Sequence, residues 1–176
     1  TLGATVSIDN TAKTLAGFSP AAQFANQKDF VTATATGNKT NETSGVALTF
    51  DHQLTQIEVK ARNANDAYVY KIKGVRIAQP VSKADFDFES SQWSLDPDSK
   101  AVYQVQYSND ITLNSYGQCI MKEEGNNAML IPQQLIPWDP IADKTNDAKG
   151  AYLSVYAQVT TKSGSRIFPK SAGMDY

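Results

Sequence analysis

Apolar residues in this chain recur at every second position, the period of a strand with one buried face. Val46-Ala47-Leu48-Thr49-Phe50 puts Val46, Leu48 and Phe50 on one face. The second half of Leu54–Arg62 sends Ile57, Val59 and Ala61 inward and Glu58, Lys60 and Arg62 outward. That alternation belongs to an antiparallel sheet with one wet side. Asn63-Ala64-Asn65-Asp66 supplies a turn, after which Tyr68, Tyr70 and Ile72 resume one face. Gly74 interrupts this run before Val75-Arg76-Ile77-Ala78, which predicts a bulge, and Pro80 is expected to close the strand. Upstream, Phe30–Thr36 is rich in β-branched residues and ends at Gly37-Asn38, so it too reads as a strand.

The middle of the chain divides into shorter pieces. Ala84–Phe88 and Gln92–Leu95 read as a hairpin around Glu89-Ser90-Ser91, and Asp96-Pro97-Asp98-Ser99 as a turn. Val102–Tyr107 fits a strand and Gly125-Asn126-Asn127 a turn. Ala128-Met129-Leu130-Ile131 is a short buried strand stopped by Pro132, and Leu135-Ile136-Pro137-Trp138 follows it. A polar loop from Asp139 to Gly150 leads into Ala151–Thr161, the clearest strand of the chain. Lys162-Ser163-Gly164-Ser165 then turns it into Arg166-Ile167-Phe168, ended by Pro169. One short helix is expected at Pro20–Asp29, with Ser19 as its N-cap and Pro20 at its first position.

Many short strands with frequent turn signals predict an all-β fold, an antiparallel β-sandwich or an open barrel, with at most that one short helix near residues 20–29. The expected core includes Phe50, Ile57, Val59, Ile72, Leu130, Ile131, Leu153 and Val155.

Composition narrows the function. With 176 residues, 41% hydrophobic and 19% charged, the chain suits one globular domain able to bury a core. The net charge is −2 with both signs interspersed, so no basic stripe offers itself to nucleic acid. No apolar run has the length of a membrane-spanning helix. The chain opens on Thr1, and the expectation is a trimmed piece of a longer protein.

No residue set makes a catalytic site. His52 is the only histidine and Cys119 the only cysteine. Together they would make a thiol nucleophile and its base, but the flanks Gln118, Ile120 and Met121 carry no thiol-enzyme signature, and a free cysteine is ordinarily a small buried hydrophobe. Asp139, Asp143 and Asp147, and Asp96 with Asp98, are carboxylates of the kind calcium takes, but they lack the alternating calcium-loop pattern. No catalytic, cofactor-binding or metal-binding residue is therefore assigned. Asn38-Lys39-Thr40 and Asn41-Glu42-Thr43 match the glycosylation sequon, which short polar loops produce by chance. Trp93, Trp138 and nearby tyrosines would make a sugar-stacking platform if they shared a surface, so a carbohydrate-binding module is the alternative to a structural role.

Three ordered stretches resemble the fimbrillin family of Bacteroidales, subunits of type V pili and their adhesin relatives. Val46–Val59 is similar to the family's Phe-x-His-x-Leu core followed by a strand, here through Phe50, His52 and Leu54. Ala128–Leu135 resembles its Leu-Ile-Pro-Gln strand end. Gly150–Val155, leading to Ile167-Phe168-Pro169, is the third. The resemblance implies an amino-terminal, Greek-key-like or transthyretin-like β-domain covering residues 1–176, with the family's carboxy-terminal domain absent or trimmed. It also implies a non-enzymatic pilus or adhesion role at the cell surface, in the fimbrium. The implied partners are other pilus subunits joined by strand exchange, and a host protein or glycan. The implied attachment is to the outer membrane, through a trimmed lipid anchor. Two departures stand beside it: no cysteine lies near the start, and the first arginine is Arg62, inside a predicted strand.

Overall fold

A computed structural model of the chain describes residues 7–9, 11–38, 40, 44–121, 127–139 and 150–171. Among these the regular elements are almost all strands: β1 (Ser7–Asp9), β2 (Thr14–Phe18), β3 (Val31–Thr32), β4 (Asp51–His52), β5 (Thr55–Ile57), β6 (Lys60–Ala61), β7 (Tyr68–Val81), β8 (Ala84–Asp87), β9 (Gln92–Leu95), β10 (Lys100–Thr112), β11 (Gln118–Cys119), β12 (Ala128–Leu130), β13 (Tyr152–Thr161) and β14 (Arg166–Phe168). Every ladder between them is antiparallel, in layered sheets that form no closed barrel, as the alternation predicts.

Two four-stranded sheets carry the structure, in the orders β1-β2-β8-β9 and β10-β7-β13-β14. The larger core lies on one face of the second sheet. Ile72, Val75 and Ile77 of β7 and Tyr103 and Val105 of β10 pack there against Phe24, Leu113, Ile120, Met121, Ala128 and Leu130, with Ile57, Val59 and Ala61 partly buried beside them. The smaller core joins Leu15, Phe18, Ala84 and Phe86 of the first sheet to Leu54 and Ile131. The two cores meet at β12: Ala128 and Leu130 enter the larger one, Met129 and Ile131 the smaller. An uninterrupted apolar run is what a strand covered on both faces requires.

Gly74 marks a bulge, as expected. Tyr156 pairs with Gly74 and Ala157 with Ile72, so Lys73 is an extra residue in β7. On the other side Gln106 pairs with Gly74 and Ile111 with Ile72, and Lys73 binds Asp110 of that looped-out stretch at 3.2 Å. A second bulge sits at Gly17, whose φ of 70° is open to a residue without Cβ. Its N–H donates to the Asp85 carboxylate at 2.7 Å. The β8–β9 hairpin forms where its turn residues stand. Asp87 accepts from the backbone N–H groups of Ser90 and Glu89, and that acceptance, from Ser90 first, holds its carboxyl below the ordinary range.

Several expectations are corrected. The helix at Pro20–Asp29 contracts to one 3-10 turn at Phe24–Asn26, without a Ser19 cap. Tertiary contacts take the backbone instead: Gln104 donates to Ala22 O at 2.9 Å, and the Gln27 side chain links Ala21 O to Met129 N–H. Of the strand expected at Phe30–Thr36 only β3 pairs, and Val46–Phe50 is not a strand. Pro80 does not end β7, which continues to Val81 beyond a positive φ at Gln79. Of the expected core, Ile72, Leu130 and Ile131 are buried, and Ile57 and Val59 are partly so. Phe50, Leu153 and Val155 are exposed. Leu153 and Val155 lie beyond the reach of the opposing layer, and Phe50 lies on a segment that pairs with nothing described.

Candidate functional site

The feature with the most to offer a partner is the outer edge of β13. Along its whole length β13 pairs with β7, from Tyr152 against Ala78 to Thr161 against Tyr68. On the other side β14 covers only Val159 and Thr160, paired with Phe168 and Arg166. At the opposite end Ala151 donates to Ile136 O at 2.7 Å, where Pro137 runs parallel to it. Between these two clamps no described strand runs along that side of β13.

The direction of its backbone groups follows from the flanks. Ala151 and Thr161 both point N–H away from β7, to Ile136 O and Ser165 O. They are separated by an even number of residues, and the extra residue of the bulge lies on β7. The two-residue period therefore aims the N–H and C=O of Leu153, Val155 and Ala157 outward. An edge of this kind is a template for another strand.

The side chains beside it are apolar. Leu153 pairs with Ile77 and Val155 with Val75, so both face the side of the sheet that holds the larger core. Ile77 and Val75 are buried, yet Leu153 is 49% and Val155 38% exposed, and Phe168 across from Val159 is 55% exposed. The opposing layer thus covers β10 and β7 and stops short of β13 and β14. The physical reason is legible in the chain: Pro169 ends β14 after three residues, too few to line a ten-residue β13.

The opposite face of this sheet carries an aromatic and cationic group. Trp138 packs on Tyr152 with ring centroids 6.0 Å apart, and the Arg76 guanidinium lies 5.8 Å from the Tyr152 ring. Trp93 is not part of it. It packs among Phe18, Phe30 and Phe86 in the smaller core and donates its indole N–H to Gln53 O at 2.9 Å. The two tryptophans do not form one platform.

The other candidate residues are also placed apart. His52 pairs through Nδ1 with Asp29 beside β3 and β4, whereas Cys119 packs against the larger core with Asn127 as its partner at 3.8 Å. The thiol and the imidazole contribute to different surroundings and build no dyad. Asp96 caps the turn before β10: its carboxylate accepts from Ser99 Oγ at 2.7 Å and from Asp98 N–H. Asp143 and Asp147, and the sequon Asn41–Thr43, lie outside the described residues, as does Lys39 of the other sequon. Among the described residues no three histidine, cysteine, aspartate or glutamate side chains converge. Sequence reasoning missed the open edge itself, having read Leu153 and Val155 as core. The short β14 before Pro169 was the signal that could have shown it.

The fimbrillin-like family model matches residues 3–169, nearly the whole chain. The chain belongs to the fimbrillin-like family. No curated protein and no solved structure matches it. Fimbrillin-like proteins are structural pilus subunits, and the stretches that carry the resemblance now have positions in the fold. Leu54 and Ile131 anchor the smaller core, Leu130 the larger one, and Gly150–Val155 is the open edge with its entry.

Proposed function

We propose that this fimbrillin-like chain is a structural subunit of a surface pilus that joins its neighbours by strand addition at the open edge of β13. The observation that carries the reading is that no described strand runs along the outer side of β13 between its two clamps, beside half-exposed Leu153, Val155 and Phe168. An added strand would accept and donate hydrogen bonds at Leu153, Val155 and Ala157, and its alternate side chains would cover the apolar row. Completing the burial of three half-covered side chains is worth a few kcal/mol, on the order of half the full-burial value of about 1.5–3 kcal/mol for each. The stretch spans roughly 20 Å at the strand rise, long enough for register to be set by several pockets.

In this reading residues 1–176 act as one amino-terminal-type β-domain, and the outer-membrane location, the lipid anchor and any host-protein or glycan ligand belong to the same proposal, supported by family membership alone. The test is assembly. Leu153→Asp with Val155→Asp, expressed in the native host, is expected to abolish SDS-resistant subunit ladders while leaving thermal unfolding of the purified chain close to wild type. Ladders of wild-type length from that variant would overturn the reading.

A further inference from the structure

Strand pairing gathers charges that the sequence disperses. The whole chain has a net charge of −2. Yet β7, β10, β13 and β14 together hold Lys71, Lys73, Arg76, Lys100 and Arg166 against a single carboxylate, Asp110. Four of those cations share the face of the sheet turned away from the larger core. Lys71 stands between Tyr70 and Ile72, and Arg76 between Val75 and Ile77; all four neighbours pack into that core, so the two-residue period turns Lys71 and Arg76 outward. Arg166 lies across from Thr160, whose neighbour Val159 pairs with core-facing Tyr70. Lys73, the extra residue of the bulge, brings its ammonium to 6.0 Å from the ring of Tyr156, which faces out between Val155 and Ala157. Asp110 meets Lys73 at 3.2 Å, and the other three cations of the face share no printed strand with an acid.

Polar and aromatic groups are set among these charges. Ser154 on one side and Gln104 on the other are the cross-strand neighbours of Arg76, so a hydroxyl and a carboxamide flank the guanidinium. That guanidinium lies over Tyr152, and Trp138, 44% exposed, packs on Tyr152 in turn. From Lys71 to Arg76 the row runs roughly 15 Å at the strand rise. A single small anion does not span it, whereas a polymer with repeated negative charge does. Rings rich in hydroxyls and bearing acid groups match this inventory: acid groups for the cations, hydroxyls for Ser154 and Gln104, and the C–H face of a ring for the exposed indole. A nucleic acid fits less well, because the Tyr152 and Tyr156 rings on which bases would stack already lie against Arg76 and Lys73.

We propose that this outer face of the sheet binds an acidic polysaccharide, whose acid groups meet Lys71, Lys73, Arg76 and Arg166 and one of whose rings stacks on Trp138. The site is the face of the sheet and not the edge of β13. It therefore goes beyond pilus assembly, and neither reading needs the other.

The test is binding of the purified chain to polygalacturonate, which carries carboxylates, and to heparin, which adds sulfates. Dextran serves as the neutral polysaccharide and single-stranded oligodeoxythymidine as a phosphate polyanion. The chain is expected to bind at least one acidic polysaccharide tenfold or more tighter than either control, with quenching of its tryptophan emission. Affinity is expected to fall about tenfold between roughly 50 and 200 mM salt. Lys71→Gln with Arg166→Gln, both on the outer face, is expected to weaken binding about tenfold or more at an unchanged melting temperature. Trp138→Ala is expected to abolish the quenching. Leu153→Asp, on the other side of the sheet, is expected to bind the polysaccharide like wild type, so a failure of assembly and a failure of this site are told apart. Polygalacturonate bound alone assigns the face to carboxylates, and heparin bound alone assigns it to sulfates. Binding to neither, equal binding to dextran or to the oligonucleotide, wild-type affinity in the double variant, or quenching that survives Trp138→Ala overturns the proposal.

Discussion

The side-chain amide of Gln133 pairs with both backbone groups of Val81: Val81 N–H donates to Oε1 at 2.7 Å, and Nε2 donates to Val81 O at 2.9 Å. A carboxamide here does what a neighbouring strand would do, closing the last residue of β7 after Pro80. Nε2 also reaches Ile131 O at 3.1 Å, so the same amide fixes the chain leaving β12. The glutamine of the Leu-Ile-Pro-Gln stretch thereby ties the seam between the two cores to the central strand. Gln133→Met, which keeps length and removes both polar groups, is expected to cost about 1–3 kcal/mol by leaving the Val81 groups unpaired. A urea midpoint within error of wild type would show that water replaces the amide without loss.

This relationship was not readable in advance, and the reason is general to the fold. Strand period is a local property, so Ile57, Val59 and Ala61 were placed correctly against Glu58, Lys60 and Arg62, and the turns at Asp96–Ser99 and Lys162–Ser165 formed where Pro97 and Gly164 stand. Whether a strand's apolar face is covered depends on what lies across from it. Val75 and Val155 are cross-strand neighbours with the same side chain, yet one is fully buried and the other is not. Alternation assigns both to the same face and is silent on the layer above.

Gly150 is buried against the segment that clamps the start of β13. A Cβ there would lie 2.3 Å from Pro137 O and Trp138 Cα, both backbone atoms that no side-chain rotation relieves. Gly150→Ala is expected to push Ile136–Trp138 off Ala151, costing about 1–3 kcal/mol as overpacking does. It is also expected to change Trp138 fluorescence through loss of the Tyr152 contact. Wild-type emission together with wild-type stability would contradict the packing.

Phe86 and Phe50 separate core from surface. Phe86 is fully buried, edge-on to Phe30 and Phe88 and 4.8 Å from the Trp93 ring centroid. Phe86→Ala is expected to cost about 3–5 kcal/mol and to perturb the near-ultraviolet signal of Trp93. Phe50→Ala is expected to change monomer stability by less than about 0.5 kcal/mol. The alternation pattern assigns Phe50 to the core, so the measured ratio of the two effects decides between pattern and structure. The comparison is best made at a protein concentration low enough to exclude self-association.

Tyr103 puts a hydroxyl where no described residue meets it. The residue is 1% exposed within the larger core, and its Oη has no hydrogen-bond partner among the described residues. Burial pushes its phenol well above the ordinary value of 10.0. The sign of the pH effect follows. Above about pH 10 the unfolded chain releases the Tyr103 proton while the folded chain holds it, so the unfolded state gains and stability falls as pH rises through that value. Tyr103→Phe removes both the unpaired hydroxyl and this titration. It is expected to be neutral or stabilising by up to about 1–3 kcal/mol at pH 7 and to flatten the decline in stability between pH 10 and the onset of general alkaline unfolding. A clear loss of stability at pH 7 would mean that the hydroxyl has a bonding partner in solution, and with it the burial argument for the raised phenol would fail.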